Sequence, residues 1–210
     1  GHSCGSGCVV CYLREKLIFV PLTMRFEHTN LRNALEFKCK LKCTQCTGTT
    51  SKGSRCKNKV CVGVAVCHLH RKALGLKVKK SNIPNSGKGL FATKDFKKNV
   101  VIGSYGGENV SKAEINRRYG NSKKDNAPYA LSAYNAKGRV LDSACRRSLM
   151  SIANSGRQRK GNNAKFSQQM KPNGTINVRA TKTIKAGDEI LIWYGKDYWK
   201  TAKWSKHKTK

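Results

Sequence analysis

At 210 residues and 23.3 kDa, the chain is long enough for one modest domain with a small appendage. It carries 43 Lys and Arg against 11 Asp and Glu, a formal charge of +32, and such a field attracts nucleic acid or an anionic surface. Hydrophobic residues at 38% are too many for full disorder. No run approaches the roughly 18 apolar residues of a membrane span, the longest candidates being Leu17 to Leu22 and Val60 to Cys67, and no secretory signal is visible.

In chain order, the cysteines set the divisions. Nine of the ten lie in the first 67 residues and Cys145 stands apart, which puts a boundary near Leu74 to Leu76. The expected organisation is an N-terminal arm (1–38), a Cys/His module (39–75), a body (76–199) and a basic tail (200–210). The arm holds Cys4, Cys8 and Cys11 and a short apolar patch, and its pattern assigns it no fold. Cys39 to Lys80 contains eleven Lys or Arg and no acid, and Lys196 to Lys210 contains six lysines and one Asp. Such runs either bind nucleic acid or form a solvated face.

The module has paired ligand spacing. Cys43 and Cys46 form one two-residue knuckle and Cys67 and His70 another, each able to aim two donors at one tetrahedral zinc. The loop between, Thr47 to Arg55, is polar and turn-forming, so a segment this small needs metal or disulfides to hold a structure. Disulfides require an oxidising compartment, for which the sequence gives no sign, so zinc is expected. The expected ligands are Cys46, Cys56, Cys67 and His70, whose spacing resembles small finger-like modules. Cys43 and Cys61 are reserves, and a second site using Cys39 stays open.

The body reads as mainly β. Strand-like runs fall at 76–80, 89–93, 100–105, 129–134, 139–142, 164–167, 175–180 and 189–194, separated by turn signals such as Pro172-Asn-Gly174. Ile176, Val178 and Ala180 alternate with polar neighbours, a half-buried strand. Ser111-Lys-Ala-Glu114 is a capping box that opens a helix to about Tyr119, and a second short helix is expected over Cys145 to Ile152. Gly87-Lys-Gly-Leu-Phe-Ala92 has the spelling of a dinucleotide-binding turn. Only ten residues separate Gly89 from the strand at Val100, too few for a crossover helix, so a plain turn is expected.

Four segments then resemble the SET domain, the protein-lysine methyltransferase fold, over residues 76 to 199. They are Ser86-Gly-Lys-Gly-Leu-Phe-Ala92, Tyr105-Gly-Gly-Glu108, Ile152-Ala-Asn-Ser155 and Ile184-Lys-Ala-Gly-Asp-Glu-Ile-Leu-Ile-Trp-Tyr194. The ending Tyr194-Gly-Lys-Asp-Tyr-Trp199 is similar to compact viral members. Ser151, Ile152 and Ser155 stand where the family has Arg, Phe and His, and no cysteine follows Cys145 to build its post-SET zinc segment.

The resemblance implies a β-clip fold of short strands and S-adenosylmethionine as cofactor. It makes Tyr194 and Tyr105 the catalytic tyrosines. Gly87, Lys88, Gly89, Asn154, Ser155 and Trp199 would meet the cofactor, Tyr105 and Ile192 would line the lysine channel, and Tyr129 would add to that channel's wall or to the cofactor pocket. Ile192 stands two residues before Tyr194, where a family member with tyrosine stops at one methyl; isoleucine implies two or three. The implied substrate is a histone or other chromatin protein, in the nucleus or a host's nucleus. DNA or a nucleosome would hold the basic module and tail, no membrane is expected, and a homodimer stays open. The rival readings are a zinc-dependent chromatin-binding protein with an inactive SET-like body, and a basic RNA-associated protein.

Overall fold

The computed structural model describes residues 39, 41–61, 63–120, 127–133, 135–156 and 159–201; the arm at 1–38 and most of the basic tail lie outside the described residues. In the module, β1 (Thr44–Gln45) pairs antiparallel with β2 (Lys59–Val60). The polar loop between them closes on itself, with Thr49 bridging Arg55 and the Thr50 amide donating to Ser54 at 2.8 Å. Helix α1 (His68–Ala73) starts at Cys67 and ends before Gly75, whose φ of 79° allows the left-handed stop.

The body follows directly. β3 (Leu76–Lys80) and β4 (Lys88–Ala92) form a hairpin in register from Leu76↔Ala92 to Lys80↔Lys88. The segment spelled like a dinucleotide-binding turn therefore leads into a strand, not a helix. β5 (Val101–Tyr105), β10 (Ile176–Ala180) and β9 (Ala164–Met170) make a sheet in the order β5-β10-β9. β6 (Glu108–Ser111), β8 (Arg139–Asp142) and β7 (Ala130–Leu131) make another, ordered β6-β8-β7. The alternation at Ile176, Val178 and Ala180 is met by near-complete burial of all three. Helix α2 (Lys112–Tyr119) is capped by Ser111, whose hydroxyl accepts the Glu114 amide at 3.1 Å. Glu114's own carboxylate turns to Arg117 and Arg118. α3 (Lys196–Thr201) closes the described chain. The fold is mainly β with few short helices, and none of the described helices is long and apolar enough to cross a membrane.

Two elements differ from expectation for visible reasons. The expected helix at 145–152 shrinks to a 3-10 turn at Leu149–Ile152, because its first half is pinned to the module. Cys145 pairs with Cys39, and the Arg147 amide donates to the Gly63 carbonyl at 3.2 Å. The run 189–194 makes only isolated bridges, since each residue bonds a different segment: Ile190 to Leu90 at 2.7 Å, Ile192 to Asn154 at 2.8 Å, and the Leu191 carbonyl to Ala164 at 3.0 Å. A strand threaded among three partners builds no ladder.

The main core gathers Leu90, Leu141 and Ile176 from these strands, Met150 from the 3-10 turn, and Ile184 and Ile190 from the segment that follows β10. A second cluster, of Cys46, Cys56, Val60, Val64 and Cys67, fills the module and packs against Leu149 and Ile152 of the body. Each large apolar side chain so buried contributes ~1.5–3 kcal/mol. The 3-10 turn thus has one face on the module and the other on the main core, where Met150 is buried.

Candidate functional site

Cys46, Cys56, Cys67 and His70 bring one ligand atom each within 4.8 Å of one another. Cys67 and His70 stand one helical turn apart at the start of α1, so both donors face the same point. His70 Nε2 lies 2.8 Å from the Thr49 carbonyl, which leaves Nδ1 toward Cys46 and Cys67 Sγ at 3.5 and 3.3 Å. That outer contact sets the ring orientation a metal-binding imidazole needs. Gly48 makes room for it: a Cβ there would lie 2.3 Å from the ring. The Gly48 and Cys67 amides donate to Cys46 Sγ. Burial pushes the Cys67 thiol up, but hydrogen bonds from Asn58 and from the His70 and Leu69 amides prevail and hold it at about 5. Three thiols and one imidazole in a closed cluster are the donor set of a structural zinc. Against the expectation of zinc in place of disulfides, the module holds both kinds of link: Cys43 pairs with Cys61 and Cys39 with Cys145, so among the described residues no second cluster forms on Cys39.

Of the expected cofactor residues, Lys88, Gly89, Asn154 and Ser155 come together, whereas Tyr129 packs against the cluster of Ile115, Tyr119 and Val140. Asn154 Nδ2 donates to the Lys88 carbonyl at 3.0 Å and reaches Glu189 Oε1 at 3.3 Å. Glu189, only 7% exposed, also accepts from Ser81 Oγ at 2.6 Å and the Asn82 amide at 2.7 Å. Gly89 lies against the same carboxylate, since a Cβ there would meet Oε1 at 2.2 Å. Gly87, at φ 63°, faces open space. Thus Glu189 ties the 81–89 loop to Asn154, and Gly87 and Lys88 beside it are exposed. Ser155 Oγ accepts the Tyr194 amide at 3.3 Å, fixing the end of the threaded segment.

The tyrosines sit beside this cradle. Tyr194 donates its hydroxyl to the Ala153 carbonyl at 2.7 Å, one residue from Asn154, and burial first, then neighbouring tyrosines, raise its pKa. Its hydroxyl is thus held as a protonated donor to that carbonyl. Tyr198 packs edge-on against it at 4.8 Å, and Trp199 stacks at 6.5 Å. Tyr105 is buried, donates to the Tyr129 carbonyl at 2.7 Å and meets Phe166 edge-on at 5.3 Å; burial raises its pKa as well. Ile192 is fully buried in the main core, with Tyr194 packed against the same cluster.

A carboxylate network anchors the wall behind Tyr105. Asp142 is fully buried, accepts from Arg118 at 2.9 Å and from Tyr119, and Arg118 also reaches Glu108 and Glu114 at 2.7 Å. Gly107 is forced by close approach, because a Cβ there would lie 2.4 Å from the Asp142 carbonyl. This gives the Tyr-Gly-Gly-Glu segment its physical basis.

The SET domain profile matches residues 87–195, just over half of the chain. The chain belongs to the SET-domain family. The SET fold here is similar to the methyltransferase domain of human PR domain-containing protein 2, at 18% identity and a TM-score of 0.44, covering 58% of this chain and 77% of that one. It is also similar to a chain of the Chaetomium thermophilum polycomb repressive complex 2, at 26% identity and a TM-score of 0.47, over 57% of this chain and 15% of that one. That complex in an autoinhibited conformation bound to S-adenosylmethionine matches at 24% identity and a TM-score of 0.47, over 59% and 15%. The chain thus spans only a small part of the polycomb chain's length. No curated protein matches the sequence significantly.

Two SET residues escaped sequence reasoning. Glu189 was spelled in Gly187-Asp-Glu-Ile190, but nothing in the spelling says that its carboxylate faces inward. Arg147 lies in a cationic pair within a basic chain, and nothing in the spelling says that it is half-buried with its Nε out of reach of solvent.

Proposed function

We propose that the chain is an S-adenosylmethionine-dependent protein-lysine N-methyltransferase that acts on a histone or other chromatin protein, with the module and tail binding DNA in a nucleus. The observation that carries this reading is the juncture of Lys88, Asn154 and Glu189 beside the Tyr194 hydroxyl. Its residues fit the cofactor: an exposed glycine lip at Gly87 and Lys88, an amide at Asn154 and aromatic cover from Trp199. Bound there, the cofactor supplies an activated methyl group on a sulfonium, so the protein needs neither a metal nor a covalent intermediate at this centre.

The protein's own tasks are alignment and charge control. A lysine with pKa ~10.4 must lose a proton at pH 7, which costs about 4–5 kcal/mol. Tyr105 and Tyr194, with hydroxyls already committed to backbone carbonyls, offer ring walls and a dry channel that favour the neutral amine. Tyr194 at the channel's end aligns the amine for in-line transfer, which is where most of the acceleration resides. Ile192 brings no hydroxyl to hold a methylated amine, so the reaction continues to two or three methyl groups.

The zinc set proposed is Cys46, Cys56, Cys67 and His70, in a structural role. A second reading, a chromatin-binding protein with an inactive body, is supported by Ser151, Ile152 and Ser155 in place of the family's Arg, Phe and His. Calorimetry with S-adenosylmethionine, followed by mass spectrometry of a lysine-rich histone peptide, separates the two. Binding and methyl incorporation support the enzyme; the absence of both selects the binding protein.

A further inference from the structure

Arg147 occupies an unusual place. Its guanidinium lies 4.5 Å over the ring of Tyr129, whose carbonyl receives the Tyr105 hydroxyl at 2.7 Å. Its amide is held by the Gly63 carbonyl of the module at 3.2 Å, and Gly63 leaves it space, since a Cβ there would lie 3.3 Å from Arg147 Cδ. The pairing of Cys145 with Cys39 fixes the chain two residues earlier. Module and body therefore hold this side chain from both sides.

Among the described residues Arg147 makes no ion pair, and its Nε is buried without a hydrogen bond. The groups around it are Tyr105 and Tyr129 from the tyrosine wall and uncharged Gly63 from the module. Asp142, the nearest acid to Tyr105, is already bonded to Arg118 and Tyr119. Glu189 acts at Tyr194, and Arg146 next in the chain is exposed. A fixed positive charge thus stands behind one ring of the proposed lysine channel.

We infer that Arg147 is a positioning residue of the methyl-transfer site, braced by the Cys/His module, whose charge disfavours the ammonium form of the substrate lysine and so promotes the neutral nucleophile. A like charge lowers a lysine's pKa, and a ring between the two charges leaves water little room to screen them. This rests on the methyltransferase reading above.

The test is the pH dependence of kcat on a lysine peptide, whose acid limb reports the bound lysine. Arg147→Met should move that limb up by about one pH unit, the Coulomb value for charges ~10 Å apart at an effective dielectric of ~20. Arg147→Lys should keep the wild-type limb, which a purely packing role would not predict. Arg147→Gln is measured alongside, and calorimetry with S-adenosylmethionine reports whether each variant keeps its site. An unmoved limb in a neutral variant that still binds the cofactor overturns the proposal. So does loss of binding in both neutral variants, which would make Arg147 structural. A wild-type protein that binds the cofactor but never turns over sinks the methyltransferase reading itself.

Discussion

Glu189→Gln tests the cofactor cradle most directly. The carboxylate accepts three hydrogen bonds, from Ser81 Oγ at 2.6 Å, the Asn82 amide at 2.7 Å and Asn154 Nδ2 at 3.3 Å. A glutamine keeps the shape but offers one acceptor oxygen and one donor nitrogen. The Asn82 amide cannot reverse its polarity, so it takes the remaining oxygen. The Ser81 hydroxyl can rotate to accept from the new amide. Asn154 is left facing a donor and must turn away, leaving the Lys88 carbonyl as its only partner here or losing that too. Two of three bonds are thus recoverable, and the loss of the charge-assisted character should cost ~1–2 kcal/mol. For a chain of this size that lowers Tm by about 3–6 °C. Glu189→Ala strands buried Ser81 as well, though exposed Asn82 can turn to water, and should cost ~3 kcal/mol. The larger effect of the glutamine should be on S-adenosylmethionine, whose affinity falls about tenfold when Asn154 is misaligned, equivalent to ~1.4 kcal/mol. Differential scanning fluorimetry and calorimetry read both. A glutamine variant that melts with the wild type and binds the cofactor within about twofold would show that Glu189 is a bystander.

Tyr194→Phe removes only the hydroxyl bond to the Ala153 carbonyl and hardly changes volume, so it should melt within a few degrees of wild type yet lose most methyl transfer; undiminished turnover takes Tyr194 out of the centre. Protein purified without added metal should carry about one zinc per chain. Cys67→Ser should lose that zinc, and metal-free protein with a full thermal transition would refute the site. The Glu114 carboxyl is held at about 2 by hydrogen bonds from Arg117 first and Arg118 second. Its folded pKa lies below the ordinary ~4.3, so its stabilisation is complete above ~4.3 and is lost as pH falls through about 2. The Tm gap between wild type and Glu114→Gln should therefore close over that window, and a gap constant down to pH 2 contradicts the assignment.

Much of this architecture was legible because its signals are local. The cap at Ser111 and the alternation from Ile176 to Ala180 each encode a short-range geometry that the fold keeps, although the reciprocal half of the capping box is not made because Glu114 turns to Arg117 and Arg118. The clustering of Cys46, Cys56, Cys67 and His70 agrees with the resemblance of their spacing to finger-like modules, whereas of the two knuckles only Cys67 and His70 faces one point, since Cys43 pairs with Cys61. What escaped was tertiary. The segment 189–194 has strand composition but bonds three separate partners, and no pattern in one segment counts its partners. The helix expected at 145–152 was overruled by contacts to residues 39 and 63, more than eighty positions away. Glu189 and Arg147 resemble solvated charge until the fold turns them inward.

The seam between module and body has a practical consequence for where this protein can be cut. Leu149 and Ile152 complete the packing of the module's cluster, and Gly63 supports Arg147 in the segment leading to Asn154. A fragment trimmed to the family match at 87–195 would discard β3, the partner of β4, and bare an apolar face on the 3-10 turn. Exposed patches of that kind drive self-association. The smallest soluble, cofactor-competent piece should therefore begin no later than Cys39, and an inactive shorter fragment would say nothing about the chemistry of the intact chain.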